Sequence, residues 1–419
     1  MSEYSGGKIN LFSTFDGTTG GQAINAAIFS CEFSKRGYKV KNICYARKNI
    51  NLELRGDVLS LKVPFVNKIK NPYLNIVVKP VQVVFGIVNF WRLFRGQPKQ
   101  KIICFGWGAS LVALFSKTLF RIKNIDIICR VGTQFKEELA SERFWLYRVK
   151  SKLVDWMIGW LYKKAFLVSP VSEHLKKFLL EEYGVLSENI VVMHNPRDEN
   201  NIIKLSREEV KAGELFSNCI TIITCGRLTL QKAQWHLIRA FSVVRQKIPC
   251  RLLILGDGEL KDYLKKLSKD LGLENDMLFL GHQENPYKYF SKADVFVLSS
   301  FWEGFPNVLL EAMICGLPVV SSDCPSGPRE ILAPNTDLNY RTDKVEHAKY
   351  GILLPVPDKD FYDAKASATK EESALALAIL EMLEDNKLRL KYKEKAISRA
   401  RDFSIEKVID SWTQLIENK

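Results

Sequence analysis

Short apolar runs alternate with amphipathic stretches along the whole chain. In the first half, residues 8–15, 38–46, 101–108 and 125–133 read as strands, with helical periodicity between them. After the first of these comes Asp16-Gly17-Thr18-Thr19-Gly20-Gly21, then a helical run over residues 22–37. Strand, glycine turn and helix in succession form the first unit of a doubly wound sheet. Taken alone, Gly20 and Gly21 fit a generic strand-to-helix turn as well as a phosphate contact. At Met193-His194-Asn195-Pro196 the proline disfavours continued helix and a polar stretch follows, which marks a hinge. A second alternating series then begins, with strands expected at residues 219–226, 250–256, 277–281, 294–300 and 317–323. Helical segments such as 235–247 and 258–272 separate them. Residues 358–372 are polar and turn-rich, and helical patterns over 373–403 and 404–417 follow. The pattern predicts an α/β chain of two Rossmann-like domains facing across a cleft. The boundaries expected are 1–198 for an N-terminal domain and 199–399 for a C-terminal domain. A last helix over 400–419 is expected to pack back on the N-terminal domain.

Length and composition agree with two cores, since 419 residues exceed what one core organises and 47% of them are apolar. Nine cysteines, at 31, 44, 104, 129, 219, 225, 250, 315 and 324, show no paired metal-ligand spacing and read as reduced core residues. Met1 to Phe12 lacks the basic start, apolar run and cleavage site of a secretory signal, so a cytoplasmic location is expected.

The net charge of +14 is confined to one half. Lys and Arg number 30 against 16 Asp and Glu through residue 200, and 31 of each thereafter. A one-sided basic domain attracts an anionic partner, either nucleic acid or the acidic face of a membrane. No nucleic-acid-binding module is visible, which leaves the membrane or a solvated basic surface with no partner. Residues 74–95 approach the length of a bilayer span, but Lys79 and Pro80 interrupt them, and a transmembrane helix is rejected. Residues 144–166 mix tryptophan and tyrosine with lysine and arginine, a composition found in helices at a lipid interface. Core packing with a basic outer face fits that segment too. The expected location is cytoplasmic and peripheral, on the inner face of the plasma membrane.

The candidate chemistry lies in the second half. Directly after the strand at 294–300 comes Glu303-Gly304-Phe305-Pro306-Asn307, with Glu311 one helical turn further on. Glycine and proline make a tight turn, and a helix starting near Asn307 offers its free N–H groups to an anion such as a diphosphate. Glu303 is placed to accept hydrogen bonds from sugar hydroxyls, and Glu311 to reach the paired hydroxyls of a ribose. After the strand at 219–226, Gly226-Arg227-Leu228-Thr229-Leu230-Gln231-Lys232 brings an arginine fork and a mobile lysine toward one diphosphate. Such cations stabilise charge on a departing diphosphate. Gly256-Asp257-Gly258 lacks a third glycine at the Rossmann spacing and reads as a tight turn.

These features, in this order, resemble the GT-B glycosyltransferases of family 4, which are retaining. Leu255-Gly256-Asp257-Gly258-Glu259, Phe279-Leu280-Gly281, Ala293-Asp294-Val295, Glu311-Ala312-Met313 and Pro325-Ser326-Gly327-Pro328-Arg329-Glu330-Ile331-Leu332 belong to the resemblance. It implies that Arg227 and Lys232 bind the donor pyrophosphate, Glu303 contacts the donor sugar near the reacting centre and Glu311 binds the ribose. Glu303, Arg227 and Lys232 are then the catalytic set. Gly20 and Gly21 close over the diphosphate, and Gly226, Gly304, Phe305, Pro306 and Asn307 complete the donor site. It further implies retention of anomeric configuration without a metal or other cofactor, and Asp358-Lys359-Asp360 is read as a polar linker. One departure stands out. Where many members carry a histidine after a first-domain strand, this chain has Cys129-Arg130-Val131-Gly132-Thr133, and Arg130 and Thr133 receive no catalytic role. The five histidines, 174, 194, 236, 282 and 347, read as structural.

The resemblance implies transfer of a hexosyl or N-acetylhexosaminyl group from a nucleotide sugar, most simply UDP-linked, to a lipid-linked glycan in cell-surface polysaccharide assembly. Capsule, O-antigen and lipopolysaccharide are the candidate products. The alternative is a sugar-nucleotide epimerase on the same scaffold.

Overall fold

The computed structural model describes residues 7–13, 21–45, 53–64, 72–133, 155–210 and 219–418. The chain divides into two compact units, one of residues 1–196 with 406–419 and one of residues 197–405. The first division falls two residues before the expected boundary. The second falls six residues after it, so that residues 400–405 belong to the second unit.

Among the described residues, the first unit holds a six-stranded parallel sheet in the order β3-β2-β1-β4-β5-β6. The strands are β1 (Lys8–Ser13), β2 (Lys39–Cys44), β3 (Asp57–Ser60), β4 (Gln100–Phe105), β5 (Ile125–Val131) and β6 (Leu167–Pro170). All seven residues of β5 are buried, as expected of a parallel strand covered on both faces. The order reverses between β1 and β4, so a crevice opens beyond their carboxyl ends. The helix Gly21–Lys35 starts beside that point, and its Phe29 and Phe33 are buried. The helix Ile405–Asn418 supplies Trp412, fully buried and edge-on to Phe29 with centroids 5.3 Å apart. Tyr38 donates to Glu417 at 2.6 Å, and Arg36 pairs with Asp410 at 2.6 Å.

Pro80, expected to interrupt its segment, lies inside one continuous helix, Pro72–Phe94. An internal proline costs about 3 kcal/mol. Burial of Phe90 and Phe94 farther along the same helix opposes that cost. No helix among the described residues is long and apolar enough to cross a membrane.

The second unit carries β7 (Ile220–Cys225), β8 (Cys250–Leu255), β9 (Met277–Gly281), β10 (Val295–Leu298), β11 (Val319–Ser322), β12 (Glu346–His347) and β13 (Ile352–Leu354). Their order is β12-β13-β11-β10-β7-β8-β9, parallel except for the β12–β13 pair. Here the order reverses between β7 and β10. The two loops singled out in the sequence, after residues 225 and 298, therefore leave the sheet side by side at a topological switch point, the usual place for a ligand in such sheets.

The run over 373–403 is two helices, Lys370–Glu384 and Asn386–Ala400. Asp385 leaves the helical region, and its carboxylate caps the second helix by accepting from Leu388 N at 2.9 Å. A capping box of Thr369 and Glu372 opens the first. Buried Glu372 also receives His236 and Arg239, each at 2.8 Å, which ties this helix to Gln234–Lys247.

Candidate functional site

β10 is buried along its length and delivers the chain into a buried turn, residues 299–306. The Pro325–Pro328 run braces this turn. Glu303 N donates to Pro325 O at 2.6 Å, Ser326 N to Glu303 O at 3.1 Å, and Ser326 Oγ to Gly304 O at 2.5 Å. Gly327 has a φ of 97°, and a Cβ there would stand 2.6 Å from Pro306 Cδ, so only glycine allows the two segments to approach. The helix Asn307–Ile314 then begins at Pro306 with no side-chain cap hydrogen bond and no acidic residue in its first turn. A helix start of this kind, with no capping side chain and no acidic residue, has a positive end that favours an anion.

The Arg227 loop is held by its neighbours. Cβ atoms at Gly256 and Gly258 would fall 1.9 Å from Gly226 O and 2.4 Å from Leu228 O, so the Gly256-Asp257-Gly258 turn lies directly against this loop. Gln231 Nε2 donates to Trp302 O at 2.9 Å and Ser299 Oγ to Lys232 O at 2.8 Å, joining the loop to the Glu303 turn. The Lys232 stem passes Gly226, with Cε only 3.2 Å from where a Cβ would lie.

The two sequence features meet in one ion pair. Lys232 Nζ donates to Glu303 Oε1 at 2.5 Å, and Ser300 Oγ donates to the same oxygen at 2.6 Å. Both charged groups are mostly buried, where a charge-assisted hydrogen bond is strong and directional. Arg227 stands apart from the pair. It is exposed, and its Nη2 reaches Gln231 Oε1 at 3.3 Å. Phe305 is buried in the turn.

Glu311 lies on the inner side of its helix and pairs with Arg197 Nη1 at 2.9 Å. Burial holds the Glu311 carboxyl above the usual carboxylate range, and the Arg197 charge works against that rise. Neither Ser300 nor Arg197 was singled out in the sequence. Ser300 precedes Glu303 by three residues with no pattern to mark it, and the partner of Arg197 is 114 residues away.

In the first unit, Gly21 is the exposed first residue of its helix, while Gly20 lies outside the described residues. Arg130, at the end of β5, is built into the framework. Its guanidinium donates to Asn195 Oδ1 at 2.6 Å and His194 O at 3.1 Å, and lies over the rings of Phe29 and Trp412. Thr133 instead lines a recess with Gln22, Trp107, Gly132, Tyr162 and Tyr183. The five histidines, all among the described residues, have structural surroundings or lie toward the surface. His194 meets Val171 O, His236 meets Glu372 and Asp358 O, His347 meets Glu381, His282 is exposed just after β9, and His174 is half-buried in the helix Glu173–Glu181. Asp358 accepts from Asp360 N at 2.9 Å and from the Tyr362 hydroxyl at 2.8 Å, so the Asp-x-Asp run forms a turn. Arg329 of the Pro325–Leu332 run is buried on Asp323 and Glu346 and serves the framework.

The family described as Glycosyl transferases group 1 matches residues 206–352, which span both loops and the Glu303–Glu311 segment. An uncharacterised glycosyltransferase of Methanocaldococcus jannaschii is 38% identical over 380 residues, covering 87% of this chain and 90% of the relative. A Campylobacter jejuni enzyme, N-acetylgalactosamine-N,N'-diacetylbacillosaminyl-diphospho-undecaprenol 4-alpha-N-acetylgalactosaminyltransferase, is 29% identical over 363 residues, covering 86% and 88%. Among solved structures, the Anabaena protein HepE in complex with UDP superposes with a TM-score of 0.69 at 19% identity, covering 98% of this chain and all of that one. With two α/β units and both motifs at the switch point of the second, the chain belongs to the glycosyltransferases, carries a group 1 domain over residues 206–352 and has the GT-B fold.

Proposed function

We propose that this glycosyltransferase moves a hexosyl or N-acetylhexosaminyl group from a UDP-linked donor to a lipid-linked glycan, with retention and without a metal. The contact between Lys232 and Glu303, beside the uncapped start of Asn307–Ile314, carries the reading. It supplies a cation for the diphosphate and a carboxylate for the sugar at adjoining positions. On donor binding, phosphate oxygens compete for Lys232, and Glu303 turns its acceptor capacity to the sugar hydroxyls. Arg227, exposed on the same loop, closes on the diphosphate, and the helix N–H groups take the remaining charge. As the bond from the anomeric carbon to the diphosphate oxygen breaks, the acceptor hydroxyl attacks from the same face. Its proton passes to the departing phosphate, and the negative charge left on UDP is stabilised where it develops.

The UDP complex of HepE supports the donor, and the diphospho-undecaprenol in the Campylobacter relative's name supports a lipid-linked acceptor. Products would belong to cell-surface polysaccharide such as capsule or lipopolysaccharide, made at the inner face of the plasma membrane. The experiment is a panel of UDP-sugars with undecaprenyl-diphosphate-linked acceptors, read by product mass for the natural chain, Glu303→Ala and Lys232→Ala. Transfer by the natural chain, and its loss in folded Glu303→Ala with weakened donor use in Lys232→Ala, is expected. Epimerised donor in the absence of acceptor, or full activity in both variants, would overturn the reading.

A further inference from the structure

Arg197 is the first residue of the second unit and one of its most deeply buried side chains. Its backbone is fixed by pairing with the end of the same unit. Arg197 N donates to Phe403 O and Ile405 N donates to Arg197 O, both at 3.0 Å. On its other side, Asp198 caps the helix Glu199–Ser206 by accepting from Asn201 N at 3.0 Å. The Phe403 ring packs edge-on against Phe305, in the turn between Glu303 and Asn307, with centroids 5.1 Å apart. A backbone held at both ends thus aims the guanidinium Nη1 at Glu311 Oε1, at 2.9 Å.

A carboxylate offers about four acceptor positions, of which this contact takes one. The others suffice for two ribose hydroxyls, provided that the group stays ionised and does not rotate. Protonation would turn one oxygen into a donor and remove that match. A buried carboxylate without a cation tends toward the neutral form. Arginine meets both needs, since its charge is permanent and its planar fork fixes direction as well as distance.

We infer that Arg197 is a positioning residue for donor recognition, holding Glu311 ionised and oriented so that the enzyme distinguishes ribose from deoxyribose in its nucleotide sugar. The inference rests on the proposed role of Glu311 at the ribose and adds the residue through which that role is exercised.

The test is calorimetric binding of UDP and 2′-deoxy-UDP to the full chain and to Arg197→Met, Arg197→Lys and Glu311→Gln, with thermal melting to establish folding. In the natural chain, losing one hydroxyl bonded to a charged acceptor should weaken binding about 10- to 100-fold. In Glu311→Gln and Arg197→Met the preference should fall to within about twofold, and Arg197→Lys should restore part of it, since it returns the charge without the fork. A purely structural arginine would lower the melting temperature and leave the preference intact. Should Arg197→Met fail to fold, Arg197→Lys decides by the same ratio. Natural preference in folded Arg197 variants alongside its loss in Glu311→Gln overturns the inference and leaves the ribose reading standing. Natural preference in Glu311→Gln overturns both.

Discussion

Two carboxylates eight residues apart are placed in opposite electrostatic settings. Glu303 faces a lysine able to leave it for a phosphate, whereas Glu311 faces an arginine held by a backbone ladder. This difference has a consequence for pH. The ionisable or charged groups acting on Glu311 from neighbouring elements are Arg197, Cys225, Tyr287 and Cys315. Burial pushes both thiols up to about 12 and raises Tyr287 as well, so none of these three titrates near neutrality. Glu311 is therefore the member of this set whose charge state answers to a fall in pH. Its carboxyl is already raised by burial, so ribose contacts should be lost as pH falls, and at a higher pH than for an ordinary carboxylate. The ratio of UDP to 2′-deoxy-UDP affinity cancels the titration of the phosphate itself. That ratio should decline as pH is lowered, and a flat profile would show that Glu311 ionisation is not needed.

At the scale of elements, the site depends on segments that only glycine lets pass. Replacing Gly327 with alanine forces a side chain into a φ of 97° and against Pro306. Backbone strain of this kind costs about 1–3 kcal/mol. The substitution also pushes on the turn that carries Glu303, and a displacement of about 1 Å at a reacting group can cost about a hundredfold in rate. The expected outcome is a lower urea midpoint together with a kcat loss larger than the stability change implies. An unchanged kcat would separate the Pro325–Pro328 run from the site. Elements were legible in the sequence where periodicity was long and local. The strands preceding both loops and the helix from Asn307 were readable, because each motif follows an apolar run directly. β3, β12 and β13 span only two to four residues and owe their pairing to neighbours distant in sequence. Asp385 was hidden because apolar spacing continues across it while the backbone turns. Arg197 and Ser300 act through contacts that no spacing rule encodes.

On the scale of the whole molecule, the basic excess and the most exposed large apolar side chains fall in the same unit. The first half carries all of the basic excess. The same unit exposes Val84 (58%) and Phe85 on the helix Pro72–Phe94, and Trp156 (66%) and Trp160 on the helical stretch 155–162. Residues 144–154 of the other interfacial candidate lie outside the described residues. Aromatic and aliphatic side chains among basic ones suit an anionic lipid surface, where each lysine or arginine near the surface contributes about 1 kcal/mol. Co-sedimentation with phosphatidylglycerol vesicles should be strong at low salt, decline as salt rises, and weaken in a Val84→Asp, Trp156→Ala variant that remains folded. Equal recovery with neutral vesicles, or an unchanged double variant, would place the lipid contact elsewhere.

The most direct measurement of the chemistry is the anomeric configuration of the product formed in excess chelator, read by NMR from the anomeric proton. In the proposed mechanism Lys232, Arg227 and the start of the helix Asn307–Ile314 supply the charge for the departing diphosphate, and the acceptor attacks from the face that the diphosphate leaves, with no side-chain nucleophile. An α-linked UDP-sugar should therefore give an α-glycoside at an undiminished rate. A β-glycoside, or activity that vanishes with the chelator, would contradict this account.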